Sequence, residues 1–232
     1  MKLAVIPARG GSKRIPRKNI RPFHGRPIIG WSVQAACDSG LFDRVIVSTD
    51  DAEIAEVARA EGAETPFVRP AELADDFSGT NAVTRHAVQW FEDAGEPAEI
   101  VCCLYATAPF VTAASLRDGF ERLMARGHGF AFPVTTFPFA IQRALRLRGD
   151  GSIGMLHPEH MKTRSQDLEE AWHDAGQFYW GFARAFLDDL PLYSEHAVGV
   201  HVPRFRVQDI DTLEDWSRAE LMFAALAAED LT

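Results

Sequence analysis

LAVIPARGGSKRIPRKN (residues 3–19) joins two kinds of sequence. Residues 3–8 are a short apolar run of strand length, closed by Pro7 and followed by a glycine pair, and they predict a buried strand. Behind them comes a basic loop with Gly10 and Gly11 and with donors on Arg9, Ser12, Lys13, Arg14, Arg17, Lys18 and Asn19. A buried strand running into a glycine-rich basic loop is how open α/β sheets hold anions at the carboxyl ends of their strands. Backbone amides approach the anion closely, and Lys and Arg neutralise it. The alternative is a solvated basic loop. No Gly-Lys-Ser/Thr follows a four-residue gap, and there is no GxGxxG, so neither the Walker loop nor the dinucleotide fingerprint is present.

The rest of the chain continues in the same rhythm. Helical spacing over Ile28–Ser39 ends at Gly40, and Arg44–Ser48 predicts a second buried strand. A short helix over residues 52–61 has Gly62 behind it. A third strand is expected near residues 65–68, stopping at Pro70, then a helix from about Ser78 or Thr80 to 94. A strand follows over 99–105 and a helix over 116–125. This alternation predicts a Rossmann-like α/β fold: a mostly parallel sheet with helices on both faces. From about residue 135 the rhythm breaks into turn chemistry, with hairpin-like alternation over 143–148. The chain therefore reads as one domain over residues 1–232, with residues 137–174 as an excursion. It returns with strands near 177–180 and 198–203 and closes on a helix over 213–228.

The charge distribution narrows the ligand. The formal charge is −9, yet residues 1–37 carry eight bases and no carboxylate, leaving 16 bases and all 33 acids to the remainder. An acidic chain with one basic end lacks the repeated basic face of a duplex-binding protein, so no nucleic-acid partner is expected. The pattern points to a single anionic group held at one place. No apolar run reaches the length of a membrane span, and the apolar start is too short for a secretory signal. Three cysteines, two of them adjacent in an apolar run, predict reduced thiols and a cytoplasmic protein.

Asp209-Ile210-Asp211-Thr212 follows a predicted strand. Carboxylates at i and i+2 of an extended segment point the same way, so Asp209 and Asp211 can share one hard cation such as Mg²⁺. The alternative is that Asp211 or Thr212 caps the next helix and Asp209 is solvated. Asp50-Asp51 could meet a ribose or a metal, but capping of the helix from Ala52 is the expected role. Arg69 by position alone reads as a surface or ion-pair residue. The polar and aromatic residues of 162–180 resemble a sugar-binding wall, with Arg164 suited to a carboxylate, or equally a subunit interface. No nucleophile elbow, HExxH pair or zinc-type cysteine spacing is present.

Together these residues resemble the acylneuraminate cytidylyltransferase family, which attaches CMP to nine-carbon 2-keto acid sugars, over nearly the whole chain. The strongest element is IPARGGSKRIPRKN (residues 6–19), whose Lys18-Asn19 ending differs from the Pro-Gly-Lys of the family that activates the eight-carbon Kdo sugar. VSTDD (47–51), RPAELADD (69–76) and DIDT (209–212) also match. The resemblance implies CTP held by Arg9, Gly10, Gly11, Ser12, Lys13, Lys18, Asn19, Arg69, Ser78 and Thr80, and Mg²⁺ held by Asp209 and Asp211. Arg9, Lys18, Asp209 and Asp211 then carry the chemistry, and a homodimer forms through the excursion.

DDFSGTNAV (75–83), YATAPF (105–110), TRSQDLEEA (163–171) and HDAGQFYWG (173–181) are similar to the branch that activates pseudaminic acid. The sialic acid branch typically has Gln-Pro-Thr-Ser-Pro at residues 105–109 and Arg-Arg-Gln-Asp at 164–167. The departures favour a differently decorated nonulosonic acid, contacted by Tyr105, Arg164, Gln166, Asp167, Gln177 and Tyr179. The alternatives within the family are N-acetylneuraminate and legionaminate. Outside it stand a non-catalytic nucleotide-binding module and an NAD-dependent oxidoreductase, the latter without its fingerprint here.

Overall fold

The computed structural model describes residues 1–75 and 78–229. Asp76 and Phe77, which belong to two of the quoted motifs, lie outside the described residues. The elements run β1 (Lys2–Pro7), the short pair β2 (Pro22–Phe23) and β3 (Arg26–Pro27), α1 (Ile28–Ser39), β4 (Arg44–Ser48), α2 (Ala52–Ala60) and α3 (Thr80–Asp93). Then come β5 (Ile100–Leu104), α4 (Ala113–Arg126), β6 (Phe130–Thr136), the hairpin β7 (Leu145–Leu147) and β8 (Ile153–Met155), and β9 (Trp172–Asp174). The chain closes with β10 (Phe178–Phe182), α5 (Ala183–Leu187), β11 (Ala197–His201) and α6 (Leu213–Glu229).

Seven strands form the central sheet in the order β4-β1-β5-β10-β6-β11, with β9 paired to β6. β1 lies between β4 and β5, parallel to both. β10 runs antiparallel between β5 and β6, β11 is parallel to β6, and β9 is antiparallel to it. Five strands thus point one way, and β9 and β10 oppose them.

Both faces of β5 are covered, which is why its sequence is unbroken apolar rather than alternating. Cys102 and Leu104 join the cluster with Ile29 and Val33 of α1 and Leu116 and Leu123 of α4. Val101 and Cys103 point the other way, against Ala87, Val88 and Phe91 of α3. Helix α1 stops because Gly40 takes the left-handed conformation (φ 65°). Helix α4 begins on a reciprocal cap between Thr112 and Ser115. It can approach the sheet because residue 119 is glycine: a Cβ there would stand 2.8 Å from the rings of Phe178 and Trp180.

Two sequence expectations fail. Residues 65–68 form no strand; on its side away from β1, β4 meets this segment in an isolated bridge between Ile46 and Glu64. Pro66 and Pro70 remove ladder donors, and Val68 is 78% exposed. Conversely, β6 is a sheet strand absent from the sequence expectations, and it carries Pro133, a residue disfavoured inside a sheet. Here the proline sits where the neighbour on one side changes from β10, paired at Ala131, to β9, paired from Val134. The chain rejoins the sheet at Trp172, slightly before the expected end of the excursion.

A third apolar cluster positions the site. Ile15 and Phe23 of the N-terminal loop pack with Phe110, Ile210 and Trp216, all buried. The Phe23 ring meets Trp216 edge-on at 5.5 Å and Phe223 at 5.3 Å. This cluster fastens the basic loop to the segment preceding α6, residues almost two hundred positions away.

Candidate active site

The loop leaving β1 is held from below. The Gly10 amide donates to Asp50 Oδ1 at 2.9 Å, and the buried Asn19 donates to the Arg9 carbonyl at 2.9 Å. A Cβ on Gly10 would lie 2.8 Å from Asp51 Oδ2, so this glycine is needed for a close approach to the β4–α2 turn. Its amide is therefore taken up by the exposed Asp50 carboxylate rather than left for a ligand anion. Gly11 is exposed, with open space around it. Asp51 caps α2 by accepting from the Ile54 amide at 3.0 Å, as expected. It also accepts two bonds from Arg17, at 2.6 and 3.0 Å, and Arg17 pairs with Glu53 as well. The Arg17 guanidinium holds the Asp51 carboxyl down at about 2.

What remains of the basic loop faces a cleft of about 220 Å³. Arg9, Ser12, Lys13, Lys18 and Asn19 line it from one side, and Arg69, Ser78 and Thr80 from the other. Arg69 is 4% exposed and is not the surface residue its position alone suggested. Its guanidinium donates to Ser48 Oγ at 3.2 Å and to the Ser48 carbonyl, which hold it in place. Burial lowers its pKa to about 10. Arg9 donates to the Asp75 carbonyl at 2.8 Å.

The DIDT segment is extended, with Ile210 fully buried, so Asp209 and Asp211 both turn away from the core. Neither caps α6. Thr212 and Asp215 do so reciprocally: Thr212 N donates to Asp215 Oδ2 at 2.8 Å, and Asp215 N to Thr212 Oγ1 at 3.2 Å. Asp211 pairs with Arg14 at 2.9 Å and lies 3.5 Å from Lys18 Nζ, which donates to the Ile210 carbonyl at 2.7 Å. Although part of Asp209 reaches solvent, the protein around its carboxyl, and then the Asp211 charge, raise its pKa. Two coupled carboxylates released from capping suit a hard divalent ion that fills its shell with phosphate oxygens and water. No group of three or more metal-type side chains gathers among the described residues.

A larger cavity of about 850 Å³ adjoins the cleft. Tyr105 lines both, Asp211 lines the cleft and Asp209 the larger cavity. Around the larger one stand Tyr179, Tyr193, Asp174, Thr135, Arg204 and Arg218. Of these, the sequence reading named only Tyr179 as a site residue. Asp174 lay within a quoted motif, but Thr135, Tyr193, Arg204 and Arg218 are scattered in sequence and carry no local signal. Gln177 lies buried beneath, donating to the Arg206 carbonyl at 2.6 Å. The structure does not bring Arg164, Gln166 and Asp167 to either cavity. Arg164 satisfies its guanidinium on Asp167, three residues along, at 2.7 and 3.0 Å, and is 70% exposed on the excursion.

Residues 3–186 match the family model described as cytidylyltransferase. The chain belongs to the cytidylyltransferase family. Pseudaminic acid cytidylyltransferase of Campylobacter jejuni is 43% identical over 221 residues, 95% of each chain. CMP-N,N'-diacetyllegionaminic acid synthase of Legionella pneumophila is 30% identical over 225 residues, 94% of each. The solved structure of CMP:2-keto-3-deoxy-manno-octonic acid synthetase complexed with CTP is similar with a TM-score of 0.70, covering 97% of this chain and 98% of that one. At 16% identity it speaks for the fold. No helix among the described residues is long and apolar enough to cross a membrane.

Proposed function

We propose that this cytidylyltransferase couples CTP to a nonulosonic acid, pseudaminic acid foremost, giving the CMP-sugar and pyrophosphate in the cytoplasm. One observation carries the reading. A cationic cleft and a larger cavity share Tyr105 as a wall, and Asp209 and Asp211 divide between them. A triphosphate in the first and an acid sugar in the second meet at the two carboxylates. The 43% identity to the Campylobacter enzyme favours pseudaminic acid as the sugar.

The anomeric hydroxyl attacks the α-phosphorus in line, and pyrophosphate leaves. Catalysis is then mostly positioning and charge stabilisation. Arg9, Lys13 and Lys18 balance the charge that grows on the α-phosphoryl and leaving groups. Lys18 is fixed for this by its bond to the Ile210 carbonyl, and buried Arg69 presents a charge that cannot swing away. Asp209 and Asp211 would hold Mg²⁺, which when bound there polarises the α-phosphate and lowers the pKa of the attacking hydroxyl. Arg204 and Arg218 are the cationic side chains of the larger cavity and suit the sugar carboxylate.

The excursion supports a homodimer. Leu147 pairs across its hairpin with Ile153, and Leu145 with Met155. Phe139 is 84% exposed, Leu147 73% and Met161 65%, an apolar surface that a lone chain leaves in water. Of the two readings of Arg164, Gln166 and Asp167, their position there favours the interface. Pyrophosphate release from CTP, across a panel of nonulosonic acids, tests the reading. Turnover of N-acetylneuraminate or legionaminate in preference would keep the reaction and change the sugar.

A further inference from the structure

The chain contains three tyrosines, and all three line the larger cavity. Tyr179 on β10 and Tyr193, before β11, come from different elements, yet both donate to the same oxygen. Their hydroxyls reach Asp174 Oδ2 at 2.6 and 2.7 Å. The other oxygen, Oδ1, accepts the Gly176 amide at 2.7 Å. Phe132 packs between the two rings, 5.7 Å from Tyr179 and 5.8 Å from Tyr193. The rings are thus held, and each phenol has one proton, already committed. The Tyr179 hydroxyl also shares a hydrogen bond with that of Tyr105, so beyond these bonds what Tyr179 and Tyr193 have left for the cavity is lone pairs.

We infer that Asp174 is a positioning residue that sets the hydrogen-bond polarity of the sugar cavity, making Tyr179 and Tyr193 acceptors for the amide N–H groups of an acylamino-substituted sugar. The inference rests on the proposed function and deepens it, since it names the chemistry by which the substrate class is recognised. An acylamino group brings one N–H donor and one carbonyl acceptor. The same wall has a counterpart for the carbonyl: Thr135, 1% exposed, has its hydroxyl buried without a partner and lines the cavity. A wall with two acceptors and one donor accepts acylamino substituents. It discriminates against groups that only accept, because those would face lone pairs.

The geometry makes an unusually specific prediction for Asp174→Asn. The Gly176 amide is a fixed donor, so the asparagine must turn its carbonyl toward it. Its NH₂ then falls where Oδ2 was, facing the two phenol oxygens. Those oxygens become acceptors from residue 174, and their protons turn into the cavity. The wall's polarity is reversed at nearly constant shape.

Steady-state kinetics on wild type, Asp174→Asn and Tyr193→Phe, with CTP, Mg²⁺ and pseudaminic acid, test this. The expected result for Asp174→Asn is a rise of roughly tenfold or more in KM for the sugar, the scale of a donor left facing a donor. KM for CTP should stay within about twofold. Tyr193→Phe, whose hydroxyl is at the exposed rim, should raise the sugar KM several-fold and guards against a folding failure in the first variant. An unchanged sugar KM in either folded variant overturns the inference, as does a parallel rise in both KM values. Failure of the wild type to use pseudaminic acid is a different result. It refutes the proposed substrate, and the variants are then compared on whichever acylamino nonulosonic acid the wild type converts. Conversion of none overturns both.

Discussion

Lys18 and Asp211 stand 3.5 Å apart, Nζ to Oδ1, although they are 193 positions apart along the chain. The ammonium is anchored by the Ile210 carbonyl, and Asp211 is further held by Arg14. The buried packing of Ile15 and Phe23 against Ile210 and Trp216 brings the two segments together. One cationic and one anionic part of the site are thus made by a single apolar cluster.

Removing either partner should therefore be felt in turnover more than in folding. Lys18→Ala and Asp211→Ala are each expected to lower kcat by roughly 10²-fold or more, the scale of a lost electrostatic stabiliser. Thermal melting beside the kinetics separates the effects. Near-normal kcat in both folded variants would remove these residues from the chemistry.

The cap on α2 makes a prediction for acid stability. Asp51 titrates at about 2 in the folded chain, against an ordinary 3.8, because Arg17 donates to it. A depressed carboxylate stabilises the fold above its unfolded pKa. That contribution shrinks as pH falls from about 4 and is gone below about 2. Arg17→Ala should raise the Asp51 pKa and move the acid-unfolding midpoint to higher pH, read by circular dichroism. An unmoved midpoint would mean that the pair contributes nothing.

The phenols should titrate abnormally. Although most of the Tyr193 ring is exposed, the protein around its hydroxyl, and then the bond to Asp174, push it up to about 12. Burial first, and after it the neighbouring Tyr105 and Asp174, raise Tyr179 further. Ionising either phenol would set a second negative charge beside the Asp174 carboxylate, so the neutral form is favoured. With three tyrosines in the chain, the absorbance change of phenolate reports on this cavity alone. Asp174→Asn should let the Tyr193 phenol ionise closer to the ordinary value of about 10. An identical titration curve would argue against coupling between Asp174 and the phenols.

For the excursion, Leu147→Glu should weaken self-association. Light scattering is expected to give a dimer for the wild type and a larger monomer fraction for the variant. A monomeric wild type would leave the exposed hairpin face without the partner proposed for it.

The α/β alternation is legible in the sequence, as is the basic loop at the carboxyl end of β1, because both are written locally. Apolar runs, a glycine stop at Gly40 and the loop of residues 8–19 each carry their own signal. Where the sequence reading went astray, distant partners decided. Pro133 is tolerated because two different strands flank β6 on one side, and no local pattern announces that. Gly10 looked like an anion-cradling glycine, yet its amide serves Asp50. Arg17, one of the loop's donors that the resemblance does not place on CTP, is committed to Asp51 and Glu53, and nothing local names those partners. In the larger cavity, Thr135, Asp174, Tyr193 and Arg218 meet only because β6, β9 and the segments around β11 and α6 converge. Their residue types are unremarkable where they stand in the chain.

The central claim is tested most directly by pyrophosphate release from each of the four ribonucleoside triphosphates, with Mg²⁺ and pseudaminic acid. Release is predicted with CTP in clear preference, dependent on the sugar and lost in Asp209→Ala. Sugar-independent release, equal use of the four triphosphates, or none with any nonulosonic acid would contradict it.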